Sequence, residues 1–194
     1  VITLLEVTEM LRKTNVEFVI GGSLASSVWG QERTTHDADV AVLLNEEQLD
    51  ILAGLVKWPY IMDTDSIRLS LSPLEEFASG NILNGETLDK IDLFLLSDSP
   101  YTQAQMRNRR YIEVAPDKYL PFLSPEDTII VKLRWFVLGN RVSDRQWNDI
   151  VQVLEIQRSR LDEAYLNEWS AHFGIMELLL EARKQVILDS DREP

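Results

Sequence analysis

Three aspartates hold the clearest chemical potential in this chain. Asp37 and Asp39 flank Ala38 at the head of an apolar run, and Asp92 lies inside the otherwise apolar KIDLFLL. Residues two apart on a strand share a face, with Cα atoms roughly 6.5 Å apart. Asp37 and Asp39 can therefore point the same way and hold one or two hard cations. Magnesium takes oxygen ligands, usually one or two carboxylates completed by phosphates and water. An acid within a buried strand is costly unless it is paired or bound to a metal, so Asp92 is a third candidate ligand if its strand lies next to the one that begins at Asp37. The plainer alternatives stay open. A D-x-D is common in turns, and Asp92 is also readable as an edge-strand acid facing water and paired with Lys90.

A second half of a site precedes the aspartates. In FVIGGSLASSVWG a short apolar run stops at Gly21-Gly22, and Ser23 stands at the head of a short helix. A helix N-terminus presents unpaired N–H groups and the positive end of the helix dipole, which favours phosphate. Glycine allows close approach to the backbone, and the Ser23 hydroxyl can add a hydrogen bond. Carboxylates for a metal and a helix start for phosphates are the two requirements of phosphoryl or nucleotidyl transfer.

Softer candidates lie around this pair. Arg33, four residues before Asp37, is either a ligand of a triphosphate or a loop-surface arginine. Lys132 is either a nucleotide contact or part of a plain amphipathic helix with Trp135. Arg107, Arg109 and Arg110 form the densest basic cluster and are readable as an RNA guide or as solvated surface. Asp149 is expected to pair with Arg145 one turn earlier. His36 reads as loop surface, and Trp147, Ile150, Val151, Leu154, Trp169 and Leu178 as core.

The elements that must position these residues follow from patterning. Ile2, Leu5, Glu6, Glu9 and Lys13 predict a first helix that Asn15 ends. Strands are expected over Val16–Ile20 and Ala38–Leu44, with a Ser23-capped helix over Leu24–Trp29 closed by Gly30 between them. Asn45 caps a predicted helix over Glu46–Val56. Residues 58–66 read as loop. Ile67, Leu69 and Leu71 alternate with polar residues and predict a half-buried strand. A short helix over Leu74–Phe77, a weak strand over Asn81–Leu83 stopped by Asn84-Gly85, and a strong strand over Lys90–Leu96 come next. A helix over Tyr101–Asn108 and strands over Tyr111–Val114 and Tyr119–Leu123 complete the mixed region. Ser124 in SPEDTIIVKLRWFVL is a cap followed by Pro125 and acids, a dense helix-start signal. Helices are expected over about Asp144–Gln157, Leu161–Phe173 and Ile175–Leu188. The expected organisation is α+β: a catalytic lobe over 1–123 and a helical lobe over 124–194.

Bulk properties narrow the function. The chain has 194 residues, and 19 Lys+Arg against 32 Asp+Glu give a net charge of −13. That balance argues against non-specific binding to DNA or anionic membranes, though not against nucleic acid at a local basic patch. There are no cysteines and two histidines, His36 and His172, which excludes thiol chemistry and Cys-ligated zinc and disfavours a multi-histidine site. No segment reaches the roughly 18 apolar residues that span a bilayer. VITLLEVTEMLRK carries acids in its apolar pattern and reads as an amphipathic helix rather than a secretory signal. A cytoplasmic protein is expected.

Taken together, G-G-S-x-A-x-x-x-W-G-x-x-R-x-T-x-D-A-D followed by K-I-D-L-F resembles the DNA polymerase β-type nucleotidyltransferase superfamily. The resemblance is to its small prokaryotic branch, which includes the AbiEii-like toxins of abortive-infection and toxin–antitoxin systems. S-P-E-D-x-I-x-x-K-L-R-W and R-x-S-D-R-Q-W-N-D-I are similar to C-terminal helical motifs of uncharacterised relatives in that branch. The resemblance runs from about Val16 to Leu180. It implies a nucleotidyltransferase-type mixed sheet flanked by helices and followed by a C-terminal helical bundle. It also implies Mg²⁺ or Mn²⁺ as cofactor and a nucleoside triphosphate as substrate. By position, Gly22 and Ser23 match the phosphate-binding pair, Asp37 and Asp39 the two metal ligands, and Asp92 the third carboxylate. The acceptor that such relatives imply is an RNA end, a protein hydroxyl or a small molecule, and a toxin would have a cognate antitoxin. A non-catalytic nucleotide- or partner-binding module on the same fold is the alternative. The chain departs from the pattern in the 13 residues between Ser23 and Asp37 and in the small Ala38 between the aspartates.

Overall fold

The computed structural model describes residues 2–35, 37–71 and 78–190. The helix predicted over Leu74–Phe77 and the role assigned to His36 lie outside the described residues. Two compact units divide the chain: Val1–Ser23 with Thr34–Phe122, and Leu24–Arg33 with Leu123–Pro194.

The first unit is built on a mixed seven-stranded sheet. In chain order its elements are α1 (Ile2–Lys13), β1 (Glu17–Ile20), the start of α2 (Gly22–Trp29), β2 (Asp37–Leu43), α3 (Glu46–Leu55), β3 (Tyr60–Met62), α4 (Thr64–Ser70), β4 (Ser79–Asn84), β5 (Lys90–Leu95), α5 (Pro100–Asn108), β6 (Arg110–Ala115) and β7 (Lys118–Phe122). The strand order is β3-β4-β5-β2-β1-β7-β6. β1 runs antiparallel to β2, while β2 and β5 are parallel. A parallel pair needs a long crossover, and α3, β3, α4 and β4 supply it. The alternation DADVAVL puts Ala38, Val40 and Val42 on the buried face of β2, and KIDLFL puts Ile91 and Leu93 on the same face of β5. α1 buries Leu4, Val7 and Leu11, and α3 buries Leu49 and Leu52. Asn45 caps α3 as expected, in a reciprocal capping box with Gln48.

Two local expectations fail in this unit. The strand predicted over Ile67–Leu71 is helix α4, because Asp63 caps it by accepting hydrogen bonds from the Ser66 N–H at 3.0 Å and from its hydroxyl at 2.7 Å. Residues 58–66 are not all loop, because Tyr60–Met62 pairs with β4 at the edge of the sheet. At the end of β4 the chain turns where Asn84-Gly85 predicted, with the Asn84 side chain accepting from the N–H groups of Glu86 and Thr87.

The second unit is helical. Its elements are the remainder of α2 with α6 (Pro125–Leu138), α7 (Asp144–Gln157), α8 (Glu163–His172) and α9 (Met176–Ser190). Ser124 caps α6 by accepting from the Asp127 N–H at 3.0 Å. The Asp127 carboxylate is fully buried and accepts from the Ser124 and Tyr165 hydroxyls at 3.1 and 2.8 Å. Trp29 ties α2 into this unit: its indole N–H donates to the Leu123 carbonyl at 2.7 Å, and its own carbonyl accepts from Gln157 at 2.8 Å. α7 buries Ile150, Val151, Val153 and Leu154, the side on which sequence placed its core. Among the described residues no helix is long and apolar enough to cross a membrane.

Candidate active site

The site is set by strand register. In the parallel β2–β5 pair, Asp37 stands opposite Lys90 and Asp39 opposite Asp92. Opposed residues share a sheet face, and neighbouring strands lie about 4.8 Å apart. Asp37, Asp39, Lys90 and Asp92 therefore form a two-by-two square on one face, opposite the buried Ala38, Val40, Ile91 and Leu93. Asp37 is exposed, and Asp39 and Asp92 are partly covered. On the far side of β5, Asn81 of β4 is registered with Asp92 and adds an amide to the same face.

The start of α2 is brought to this square by β1. Ile20 pairs with Val40, and the next residue, Gly21, donates its N–H to the Asp39 carbonyl at 2.9 Å. α2 begins one residue later, at Gly22 rather than Leu24, so Ser23 lies within the first turn and not at the cap. Gly22 adopts φ +54°. A Cβ at this position would sit 1.6 Å from Asp39 Oδ2, so the carboxylate lies directly against the Gly22 backbone. Gly22, Ser23 and Asp39 are thus neighbours at one end of the sheet, as the spacing of GGS and DAD anticipates.

The electrostatics of the square centre on its one cation. Lys90 Nζ donates to Asp92 Oδ2 at 2.8 Å. The Lys90 ammonium is held above the usual lysine range by its hydrogen bond to Asp92 and then, against some desolvation, by the charges of Asp92, Asp37 and Asp39. All three carboxylates therefore act on one point. The pairing of Lys90 with Asp92 is present, but β5 lies between β2 and β4 and is no edge strand. Among the described residues no group of three or more Asp, Glu or His side chains is gathered as a ready metal cage. The donor set still suits a magnesium-like ion: Asp37 and Asp39 offer hard oxygens on one face, and such an ion needs only one or two carboxylates beside phosphate and water.

Arg33 and Lys132 are brought together in the second unit, where both meet Asp149: Arg33 at 3.1 Å and Lys132 at 2.7 Å, each to Oδ2. Asp149 thus takes two distant cations in place of the expected Arg145. Lys132 and Asp149 are buried. Arg33, Arg145, Asn148, Asp149 and Gln152, with Gln31 and Glu32, line a cavity of about 350 Å³. In the basic cluster Arg109 pairs with Glu17 at 3.2 Å, and Arg107 and Arg110 are exposed. Lys90 and Asn81 were not singled out as site residues by sequence. For Lys90 the signal was present, since K-x-D on a strand places both side chains on one face. For Asn81 there was none, because its neighbour comes from register alone.

With this geometry in hand, comparison with solved structures places the fold among nucleotidyltransferases. The antibiotic-resistance factor ANT(2'')-Ia in solution is similar over 93% of this chain and 94% of its own, with 13% identity and a TM-score of 0.54. ANT(2'')-Ia in complex with adenylyl-2''-tobramycin matches over 88% and 94%, with 14% identity and a TM-score of 0.55. A candidate nucleotidyltransferase from Thermotoga maritima matches over 76% and 91%, with 16% identity and a TM-score of 0.50. No protein-family model and no curated protein sequence matches the chain.

Proposed function

We propose that this protein is a metal-dependent nucleotidyltransferase that moves a nucleoside monophosphate from a nucleoside triphosphate to an acceptor hydroxyl, releasing pyrophosphate. The observation that carries the reading is the register of Asp39 with Asp92 on adjacent parallel strands, with Asp37 on the same face and Gly22 against Asp39. Asp37 and Asp39 would hold Mg²⁺ or Mn²⁺, and Asp92 would join them. The bound ions would stabilise charge on the attacking and leaving oxygens. Backbone N–H groups at the start of α2, with the Ser23 hydroxyl, would hold the phosphates. Asp92 would be the carboxylate that draws the proton from the acceptor hydroxyl, a role that its partial shielding from solvent suits. Arg33 and Lys132, both bonded to Asp149 within the second unit, are proposed as further nucleotide contacts.

The acceptor is an RNA end, a protein hydroxyl or a small molecule. The adenylyl-2''-tobramycin complex of a similar fold favours testing small hydroxylated molecules first. A role as the toxin of a cytoplasmic toxin–antitoxin or phage-defence pair, of the AbiEii-like kind, belongs to the same proposal. The engagement of Asp92 by Lys90 favours one second reading, a non-catalytic nucleotide-binding or partner-binding module. Incubating the protein with Mg²⁺ and each labelled nucleoside triphosphate, together with RNA, protein and small-molecule pools, separates the two. Transfer of label into one pool, lost in Asp37→Ala, supports the enzyme and names its acceptor. Thermal stabilisation by Mg²⁺-nucleotide without label in any pool favours the binding module. Absence of both overturns the assignment.

A further inference from the structure

Resting on the proposed metal-dependent reading, we infer that Lys90 is a positioning residue that serves as the resident counter-ion of the three-carboxylate face and sets its affinity for divalent cations. Three corners of the square are acids and the fourth is a lysine, placed opposite Asp37 and on the same side of its strand as Asp92. Its ammonium sits 2.8 Å from Asp92 Oδ2. An ammonium at contact distance from Asp92 competes electrostatically with a divalent cation for the same carboxylate. The Lys90 side chain is 39% exposed against 22% for Asp92, and a four-carbon stem can swing to water without disturbing the strand. Without a metal, Lys90 neutralises part of the repulsion among Asp37, Asp39 and Asp92. With one, it becomes a nearby positive charge that weakens binding.

The test is nucleotide-free Mn²⁺ binding, followed by electron paramagnetic resonance of the free ion, for the wild-type chain, Lys90→Met, Lys90→Arg and Asp37→Asn. Removing one unit charge next to the site should tighten Mn²⁺ binding on the order of ten-fold in Lys90→Met, with the gain shrinking at high salt. Lys90→Arg should bind as weakly as wild type. In the absence of metal, Lys90→Met should melt below wild type at low ionic strength and gain more from Mn²⁺. Equal or weaker Mn²⁺ binding in a folded Lys90→Met overturns the inference. So does unchanged Mn²⁺ affinity with weakened binding of Mn²⁺-nucleotide, which would make Lys90 a phosphate ligand. If neither wild type nor any variant binds Mn²⁺, the metal-dependent reading itself falls and takes this inference with it. Tightening in Lys90→Met, with Mn²⁺ binding lost in Asp37→Asn, supports both.

Discussion

Gly22 has two independent reasons to be glycine, and they predict a severe effect from the smallest substitution. Its φ of +54° costs an L-residue about 1–2 kcal/mol. An added Cβ would also overlap Asp39 Oδ2, which must rotate or retreat. Gly22→Ala should therefore lower unfolding free energy in urea by roughly 1–3 kcal/mol. It should also abolish any nucleotide transfer, whereas Asp39→Asn should lose transfer with little change in stability. Tyr60 gives a second test at this scale. Burial first, and then its hydrogen bond and charge contact with Glu6, push its hydroxyl up to about 12 from an ordinary 10. The folded state keeps a proton that the unfolded chain has lost, so stability is intact below pH 10 and falls as pH rises from 10 to 12. Tyr60→Phe should flatten that alkaline decline when stability is measured across about pH 9 to 12.

At the scale of elements, the sequence was legible wherever local chemistry and burial agreed. The caps at Asn45 and Ser124 are visible as residue types and are present as hydrogen bonds. DADVAVL and KIDLFL alternate as their burial does, which is why strand periodicity alone puts each of the three aspartates on the face turned away from the core. The alternation over Ile67–Leu71 misled because its apolar residues do not share an environment: Ile67 is buried while Leu69 is 78% exposed. The Asp63 cap decides that segment. The edge strand β3 owes its existence to pairing with β4, which three residues cannot announce alone. The cations on Asp149 come from Arg33 and Lys132, 116 and 17 positions away, so no local spacing reveals them. That network yields an asymmetric prediction. Asp149→Ala leaves two cations without their shared carboxylate and should cost about 3–5 kcal/mol in chemical denaturation. Lys132→Met keeps the Arg33 contact and should cost distinctly less.

At the scale of the molecule, charge dominates solution behaviour. A net charge of −13 on 194 residues makes the surface repel itself. Raising monovalent salt shortens the Debye length from about 30 Å at 0.01 M to about 8 Å at 0.15 M. The melting temperature should therefore rise over that interval. Solubility should be lowest near pH 4.6, the sequence pI. For the proposed transfer, a small or short acceptor suits a surface of net charge −13 better than a long polyanion.

The division of the chain also constrains how it can be taken apart. The helical unit draws residues 24–33 from the N-terminal part of the chain. Trp29, Gln31 and Arg33 bond there to Leu123, Gln152 and Asp149. The helices after residue 122 are therefore not a transplantable cassette. A fragment starting at Leu123 should show a cooperative melt only when a peptide covering 24–33 is supplied in trans. A gene fusion that grafts the helices onto another protein would have to carry that distant decapeptide as well.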